Sequence, residues 1–469
     1  MCELTARHTY FVRVSAKNLK NFLAVRAMIA GIICILLAGF YGMFYGKNVI
    51  DGQRKVISEL PQIQAAHVKQ NLSAHSAFGL GDVLFYLELQ TAHLPSDWAA
   101  FSLGQRDVNS YSVKVRLLTL EGQLYDTELN NPMTLLFGNL DVAFVIIFLF
   151  PLLIIAFNYN VLSAEQESGT WNLIRSQPFS TVKVLLLKLS VRFAAIFLTA
   201  FLLLLAACLY LQVGFDRRIF AVAKITFVSL FFWFGVSALV VSFGRSSNFN
   251  ALALLGIWIF LTILAPAVAN IILNTALPVP EAMETTVEQR EGYHEKWDEP
   301  KAATMNRFYE KYPEYAQFPI PPDKFSWGWY YAMNEMGDED SAASSQKLIE
   351  KLRTREIWTN RIAMFLPSVN AQMQLNRISE TDLDSHIAYL EWVRKYHEQI
   401  RKYFYPYIFR DSLIEAVHWQ NLPAELPDYL YSREPAQNFL SKEIISLFLL
   451  TCLIYAIVRR NLRENTDLR

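Results

Sequence analysis

Apolar residues in this chain come in long blocks, separated by polar stretches, and not singly at strand or surface-helix spacing. Six blocks, 27–46, 140–159, 189–211, 219–243, 251–273 and 439–458, are long enough to cross about 30 Å of hydrocarbon, which takes roughly 20 helical residues. Each is expected to be a transmembrane helix. The links between the third, fourth and fifth blocks are tight turns. The second and third blocks are joined by a short charged island around Glu165 and Glu167, expected to span 160–188. Two long polar regions remain, 47–139 and 274–438.

The first polar region opens on a helix-like stretch near 56–72. It then alternates along Tyr111-Ser112-Val113-Lys114-Val115-Arg116-Leu117, apolar against polar, as a half-buried strand does. A small α/β module fits. The second region reads mostly helical, with helices expected over 281–312, 340–366 and 381–404 and a proline-rich break at 319–322. Ser379-Glu380-Thr381-Asp382 resembles a capping box. Ile362-Ala363-Met364-Phe365-Leu366, closed by Pro367, suits either a helix resting on the outer membrane surface or a core helix. The aromatic set Trp327, Trp329, Tyr330, Tyr331, Trp392, Trp419, Tyr429 and Tyr431 suits either a core or a binding face. The fold class expected is a mainly α membrane protein: six transmembrane helices, a small α/β extracytoplasmic module and a larger, mostly helical extracytoplasmic domain.

Charge fixes the expected orientation. Lys+Arg and Asp+Glu balance at 43 each, so there is no basic excess for nucleic acid. Arg7, Arg13, Lys17, Lys20 and Arg26 precede the first block, and Arg459, Arg460, Arg463 and Arg469 follow the last. By the positive-inside rule the arm 1–26 and the tail 459–469 are cytoplasmic, as are the island and the 244–250 turn. Arg217 and Arg218 oppose this, with Asp216 offsetting one charge. The first block is too long for a signal-peptide core and reads as a retained anchor. An integral plasma membrane protein, in a bacterium the inner membrane, is expected. Cys34, Cys208 and Cys452 fall inside spans and Cys2 near the start, so the polar regions have no disulfide framework.

Chemistry of its own is scarce. Gly42-Met43-Phe44-Tyr45-Gly46-Lys47-Asn48 is one residue short of a P-loop and lacks the hydroxyl; His397-Glu398-Gln399-Ile400-Arg401 lacks the second zinc ligand. No metal site, catalytic group or nucleotide site is expected, and the chain alone is not read as an enzyme. No carboxylate lies mid-span, against an ion-coupled carrier; Arg192 and Lys224 are placed near span ends, where they can snorkel, and Asp141 opens its span. Pro151 and Pro266 interrupt spans 2 and 5 and predict kinks there, which are possible hinges. Energy for any movement must then come from a partner.

The island suits that. Ser163 and Gln166 have capping-box spacing, Glu165 and Glu167 favour a first helical turn, Trp171, Leu173 and Ile174 offer apolar anchors, and Pro178 ends the helix. An ordinary interfacial helix fits the same residues. The run Asn131-Pro132, Gly138-Asn139-Leu140-Asp141, Pro151, Tyr159-Asn160, Ser163-Ala164-Glu165-Gln166-Glu167-Ser168-Gly169-Thr170, Ser176-Gln177-Pro178 and Lys188 resembles type-2 ABC exporter permeases. More narrowly it resembles a branch with two large extracytoplasmic insertions, as do Leu103-Gly104-Gln105-Arg106-Asp107 and Phe365-Leu366-Pro367-Ser368-Val369-Asn370.

That resemblance implies a permease that dimerises, with a second copy or a paralogue, and docks on separate ATPase subunits holding Mg-ATP. Glu165, Glu167, Gly169, Thr170, Arg175 and Pro178 would form the coupling helix at that contact, in a chain otherwise surrounded by membrane lipid. In the wider family the second outer loop is a small re-entrant hairpin; here a whole domain stands in its place. Export of a lipophilic, amphiphilic or peptide-like cargo is the function expected. A subunit that transmits motion to envelope partners, and a receptor or scaffold without an ATPase, are the alternatives.

Overall fold

A computed structural model describes residues 24–125, 139–171, 181–278, 297–318, 324–433 and 442–467. Most of the N-terminal arm, Arg175, Pro178 and the first part of the helix expected from 281 lie outside the described residues. In chain order the main elements are α1 (Arg26–His75), β1 (Leu89–His93), β2 (Ser112–Val115), α2 (Phe150–Asn158), α3 (Ser163–Glu167), α4 (Thr181–Leu211), α5 (Arg217–Ser242), α6 (Ser247–Ile259), α7 (Ala265–Ala276), α8 (Lys301–Lys311), α9 (Trp327–Ala363), α10 (Pro367–Ser379), α11 (Leu383–Phe409), β3 (Leu430–Tyr431) and α12 (Lys442–Asp467).

Among the described residues, six helices are long and apolar enough to cross a membrane: Arg26–Phe78, Val142–Glu167, Leu185–Leu211, Arg217–Ser242, Ser247–Ala276 and Ile444–Leu462. The chain is a mainly α membrane protein. The span in α5 is the most enclosed, packed on α12, α2 and α4. Helix α4 starts at Thr181, so Arg192 lies about three turns inside it and not near its end; its Nη1 is buried without a hydrogen-bond partner.

Helix α1 does not stop at the bundle. Its 50 residues run unbroken for about 75 Å at 1.5 Å per residue, so the helical stretch at 56–72 is its continuation and not a separate element. The failed P-loop match is a packing face. A Cβ on Gly42 would sit 2.8 Å from the Asp141 carbonyl carbon, and one on Gly46 2.1 Å from the Ala100 oxygen.

Both prolines expected to kink spans follow a π-helical turn, Val145–Leu149 before Pro151 and Phe260–Leu264 before Pro266. Proline has no N–H to continue the ladder, and widening the preceding turn spares its ring the clash with the carbonyl behind it. In the second case the Leu261 carbonyl would need the N–H that Pro266 lacks. Ser368 Oγ, at the start of α10, donates to it at 3.1 Å.

That bond marks a departure from the expected boundary of the second outer region. Ala371, Leu375 and Ile378 of α10 belong to the same apolar core as the spans, and α10 packs on α5, α12 and the π turns of spans 2 and 5. Arg355 on α9 meets Asn274 at the C-terminal end of α7, whereas Ser368 meets Leu261 thirteen residues earlier in the chain. The α9–α10 turn therefore leads back along span 5 into the bundle, with Ile357 and Trp358 exposed on α9 and Phe365 exposed at the turn. The segment 362–366 lies in this turn.

The two outer regions, expected as separate modules, fold as one unit. β1 pairs antiparallel with β2 from its own region (Thr91 opposite Val113) and parallel with β3 from the other (Ala92 opposite Leu430), in the order β2-β1-β3. One core joins Leu84, Val115 and Leu117 with Phe308, Tyr331, Tyr389 and Phe404. Trp329 and Tyr331 are buried in it and Trp392, Trp419, Tyr429 and Tyr431 pack against it, so the aromatic set is a core. At the α10–α11 junction the capping box does not form. Ser379 is still helical, Glu380 takes the left-handed conformation, and Asp382 is the N-cap residue.

This unit carries a pH dependence. His93 stacks on Tyr389 and meets Tyr431 at a tilt, with ring centroids 5.3 and 5.2 Å away. Burial, then Arg106, holds His93 down to about 3 and His386 down to about 4. Both are neutral when folded and titrate near 6.5 when unfolded, so their contribution is complete above pH 6.5. It is lost as pH falls from there toward 4, at about 1.4 kcal/mol per pH unit for each histidine. Thermal unfolding of the detergent-solubilised protein between pH 7 and 4.5, followed by tryptophan fluorescence, should show this decline. His93→Phe should roughly halve its slope.

Candidate functional site: the Glu165–Glu167 latch

The charged island is shorter and tighter than its sequence suggests. Helix α3 is five residues long, preceded by Leu162 with no side-chain cap. The chain enters α3 already in helical conformation, so the Glu165 and Gln166 amides bond the Leu162 carbonyl. Ser163 is thus not needed as a cap and its Oγ pairs with Ser247 Oγ at 2.8 Å. Gly169, with φ +76°, breaks the helix, since that conformation suits glycine. Trp171 folds back onto the bundle core. Arg175 and Pro178, expected in the same helix, lie outside the described residues.

Both carboxylates are tied to neighbouring helices, Glu165 half-buried and Glu167 at the surface. Glu165 accepts from Lys188 Nζ of α4 at 2.6 Å and from the Thr170 hydroxyl, and Lys188 also reaches the Val161 carbonyl at 3.5 Å. Glu167 accepts from both Ser247 N and Ser247 Oγ, each at 2.8 Å, so it caps the start of α6, where unpaired N–H groups and the helix dipole favour a carboxylate. Asn250, fully buried, donates to the Tyr159 carbonyl at 3.1 Å and to Arg245 O at 3.3 Å. Spans 2, 3 and 5 are therefore latched at one membrane face by Glu165, Glu167, Lys188, Ser247 and Asn250. Exposed at its tip are Ala164, Glu167, Ser168 and Gly169, and a Cβ on Gly169 would meet nothing within 4 Å.

Sequence reasoning found Glu165, Glu167, Gly169 and Thr170 but missed Ser247 and Asn250. The available signal was Ser246-Ser247 before an apolar run, a helix start; nothing local said that a residue 80 positions earlier would share in its capping. Gln and Ala at position 167 separate charge from capping. Glu167→Ala should lower stability by loss of a cap, and Glu167→Gln, which keeps an acceptor, should lower it less. Thermal unfolding midpoints of the two variants check this; equal losses would assign the effect to charge alone.

Residues 282–424 match a family described as a domain of unknown function, DUF3526. The match takes in α8 to α11, including the bundle-packed α10, and leaves the latch and the six candidate spans outside. Comparison with curated proteins and with solved structures finds no match.

Proposed function

We propose that this chain is the membrane-spanning subunit of an ATP-driven transporter of the type-2 ABC exporter kind, driven by separate ATPases that seat on the latch tip around Ala164, Ser168 and Gly169. The observation that carries this reading is the double tie of the tip, through Glu165 to span 3 and through Glu167 to span 5. A push on a free loop would dissipate. A push on this turn is delivered to two helix ends, one of which leads to the π turn before Pro266. There Ser368 hands the movement to α10 and so to the outer unit. Mg-ATP belongs to the partner, the termini and latch face the cytoplasm, and the outer unit faces the other side of a bacterial inner membrane. Span 5, only 11% buried along its window, offers an apolar face to lipid or to a second permease subunit.

Transmission of force without cargo is the second reading. It is favoured by the single rigid α1 that joins bundle and outer sheet, and by the coupling of α10 to Leu261. Export of an amphiphilic cargo uses the same parts.

The chain, affinity-purified from its native membranes, tests the assignment. It should bring down an ATPase whose co-elution is lost in Ala164→Arg. Glu165→Gln with Glu167→Gln should retain the ATPase but lower its turnover about tenfold, because the tip still docks while its ties are weakened. Purification with no ATPase would leave the receptor or scaffold reading. Normal turnover in the double variant would remove the latch from the coupling path.

A further inference from the structure

The Leu103-Gly104-Gln105-Arg106-Asp107 segment has no part in the latch, yet it is built into the junction of bundle and outer unit. The Leu103 amide donates to Asp141, the N-cap of span 2, at 2.8 Å. Gly104, with φ +53°, lies so close to Thr381 that a Cβ would approach its hydroxyl to 2.5 Å. The Gln105 amide donates to Thr381 O at 2.9 Å. These contacts hold Arg106 on the wall of a small cleft between this segment and the α10–α11 turn.

Arg106 is only 6% exposed. Its Nε donates to Gln53 Oε1 at 2.7 Å and its Nη2 to the His93 carbonyl, and among the described residues Nη1 has no partner and no carboxylate pairs with the group. Burial pushes it down, to about 10, so it is charged at neutral pH. His93 and His386, which also line the cleft, stay neutral beside it. Glu380 across the cleft acts on Arg106 only at a distance and is itself committed to Arg218, so a buried guanidinium here gains from a closer anion.

The facing wall has the opposite character. Glu380 and Asp382 line it, Glu380 paired with Arg218 at 3.0 Å and Asp382 with Arg433 at 3.5 Å. Those arginines take one oxygen each, and Asp382 Oδ2 is buried without a donor. Arg106 has no carboxylate in direct contact, and on the facing wall Asp382 Oδ2 has no donor. Its depth is set by Arg218, on the first turn of span 4, and by the Asp141 cap of span 2: it sits at the end of the bundle, where lipid headgroups lie.

We propose that this cleft binds a phosphoethanolamine group, its phosphate against Arg106 and its ammonium against Glu380 and Asp382. Arginine recognises phosphate through paired N–H donors, and a primary ammonium has the N–H groups that a carboxylate can accept. The group is available free or as the headgroup of phosphatidylethanolamine. The site goes beyond the ATP-driven reading and stands whether or not that reading holds.

Thermal unfolding of the full, delipidated chain in a neutral detergent tests it. Soluble phosphoethanolamine, short-chain phosphatidylethanolamine, phosphocholine and glycerol phosphate are added in turn. Phosphoethanolamine and the phosphatidylethanolamine should both raise the midpoint by several degrees, and phosphocholine and glycerol phosphate should not. Arg106→Gln should abolish the shift. Should that variant fail to fold, Asn109→Trp, at the mouth of the cleft and without a side-chain bond to lose, carries the decision by blocking entry. A shift with the lipid alone keeps the site and assigns its ligand to the membrane. Equal shifts with glycerol phosphate, no shift with either ethanolamine compound, or a full shift in Asn109→Trp would each overturn the proposal.

Discussion

Arg401→Met should destabilise the outer unit by about 3–5 kcal/mol, the usual result of breaking a buried ion pair from one side. Arg401 and Glu335 are 4% and 5% exposed, and Arg401 Nη1 lies 2.8 Å from Glu335 Oε2. Its Nη2 reaches Asp338 at 2.8 Å and the Leu118 carbonyl at 2.9 Å. The guanidinium on α11 thus fastens α9 to the chain leaving β2. Glu335 also accepts from Lys311 at 2.8 Å, Tyr405 at 2.7 Å and Tyr312 at 3.2 Å. Burial works against the Glu335 charge, but Arg401, then Lys311 and Tyr405, hold its carboxyl down to about 2. Asp338 is pushed up, to about 6, because burial outweighs the same arginine. Met fills the space of the Arg401 stem but leaves Asp338 without its cation and Glu335 with Lys311 alone. Adding Glu335→Gln should recover part of the loss, since a neutral amide costs less to bury. Unfolding in detergent, read by near-UV circular dichroism, decides. A loss below 1 kcal/mol in the single variant would mean that the network contributes no stability.

Gly46→Ala should cost about 3 kcal/mol, at the upper end of overpacking effects. The new methyl would lie 2.1 Å from the Ala100 oxygen, which is backbone and cannot rotate away. To relieve the clash, α1 must separate from the segment that carries Arg106 and reaches the Asp141 cap. Gly52→Ala on the same helix meets nothing within 4 Å and is the control. There alanine should be neutral or stabilise by up to about 1 kcal/mol through helix propensity. Equal unfolding midpoints for the two variants would deny the close approach of α1.

These two sites differ in how far they can be read from sequence. Gly42 and Gly46 are visible as small residues in an apolar run, but their spacing first suggested a defective phosphate loop; only the partner backbone shows them to be a packing face. His397 and Arg401 were weighed as a failed zinc motif. Their spacing did put both on one face of α11, where His397 bonds the Arg116 carbonyl at 2.9 Å and Arg401 the carbonyls that follow. At the latch, the glutamates were legible from their place in a short charged link. Their direction was not, because Lys188 and Ser247 lie 23 and 80 residues away along the chain.

The sequence by itself determined the six apolar helices, the prolines that disturb spans 2 and 5, the strand at 112–115 and the charged turn between spans. Each of these rests on local physics: hydrocarbon thickness, a missing N–H, two-residue alternation, and the cost of burying charge. Only the tertiary structure decided that two polar regions share one sheet and core, that α10 returns into the bundle to satisfy Leu261, and that Glu165 and Glu167 tie the turn to spans 3 and 5. Those outcomes depend on which unsatisfied backbone group or charge finds which distant partner, and nothing in the neighbourhood of either residue specifies that pairing.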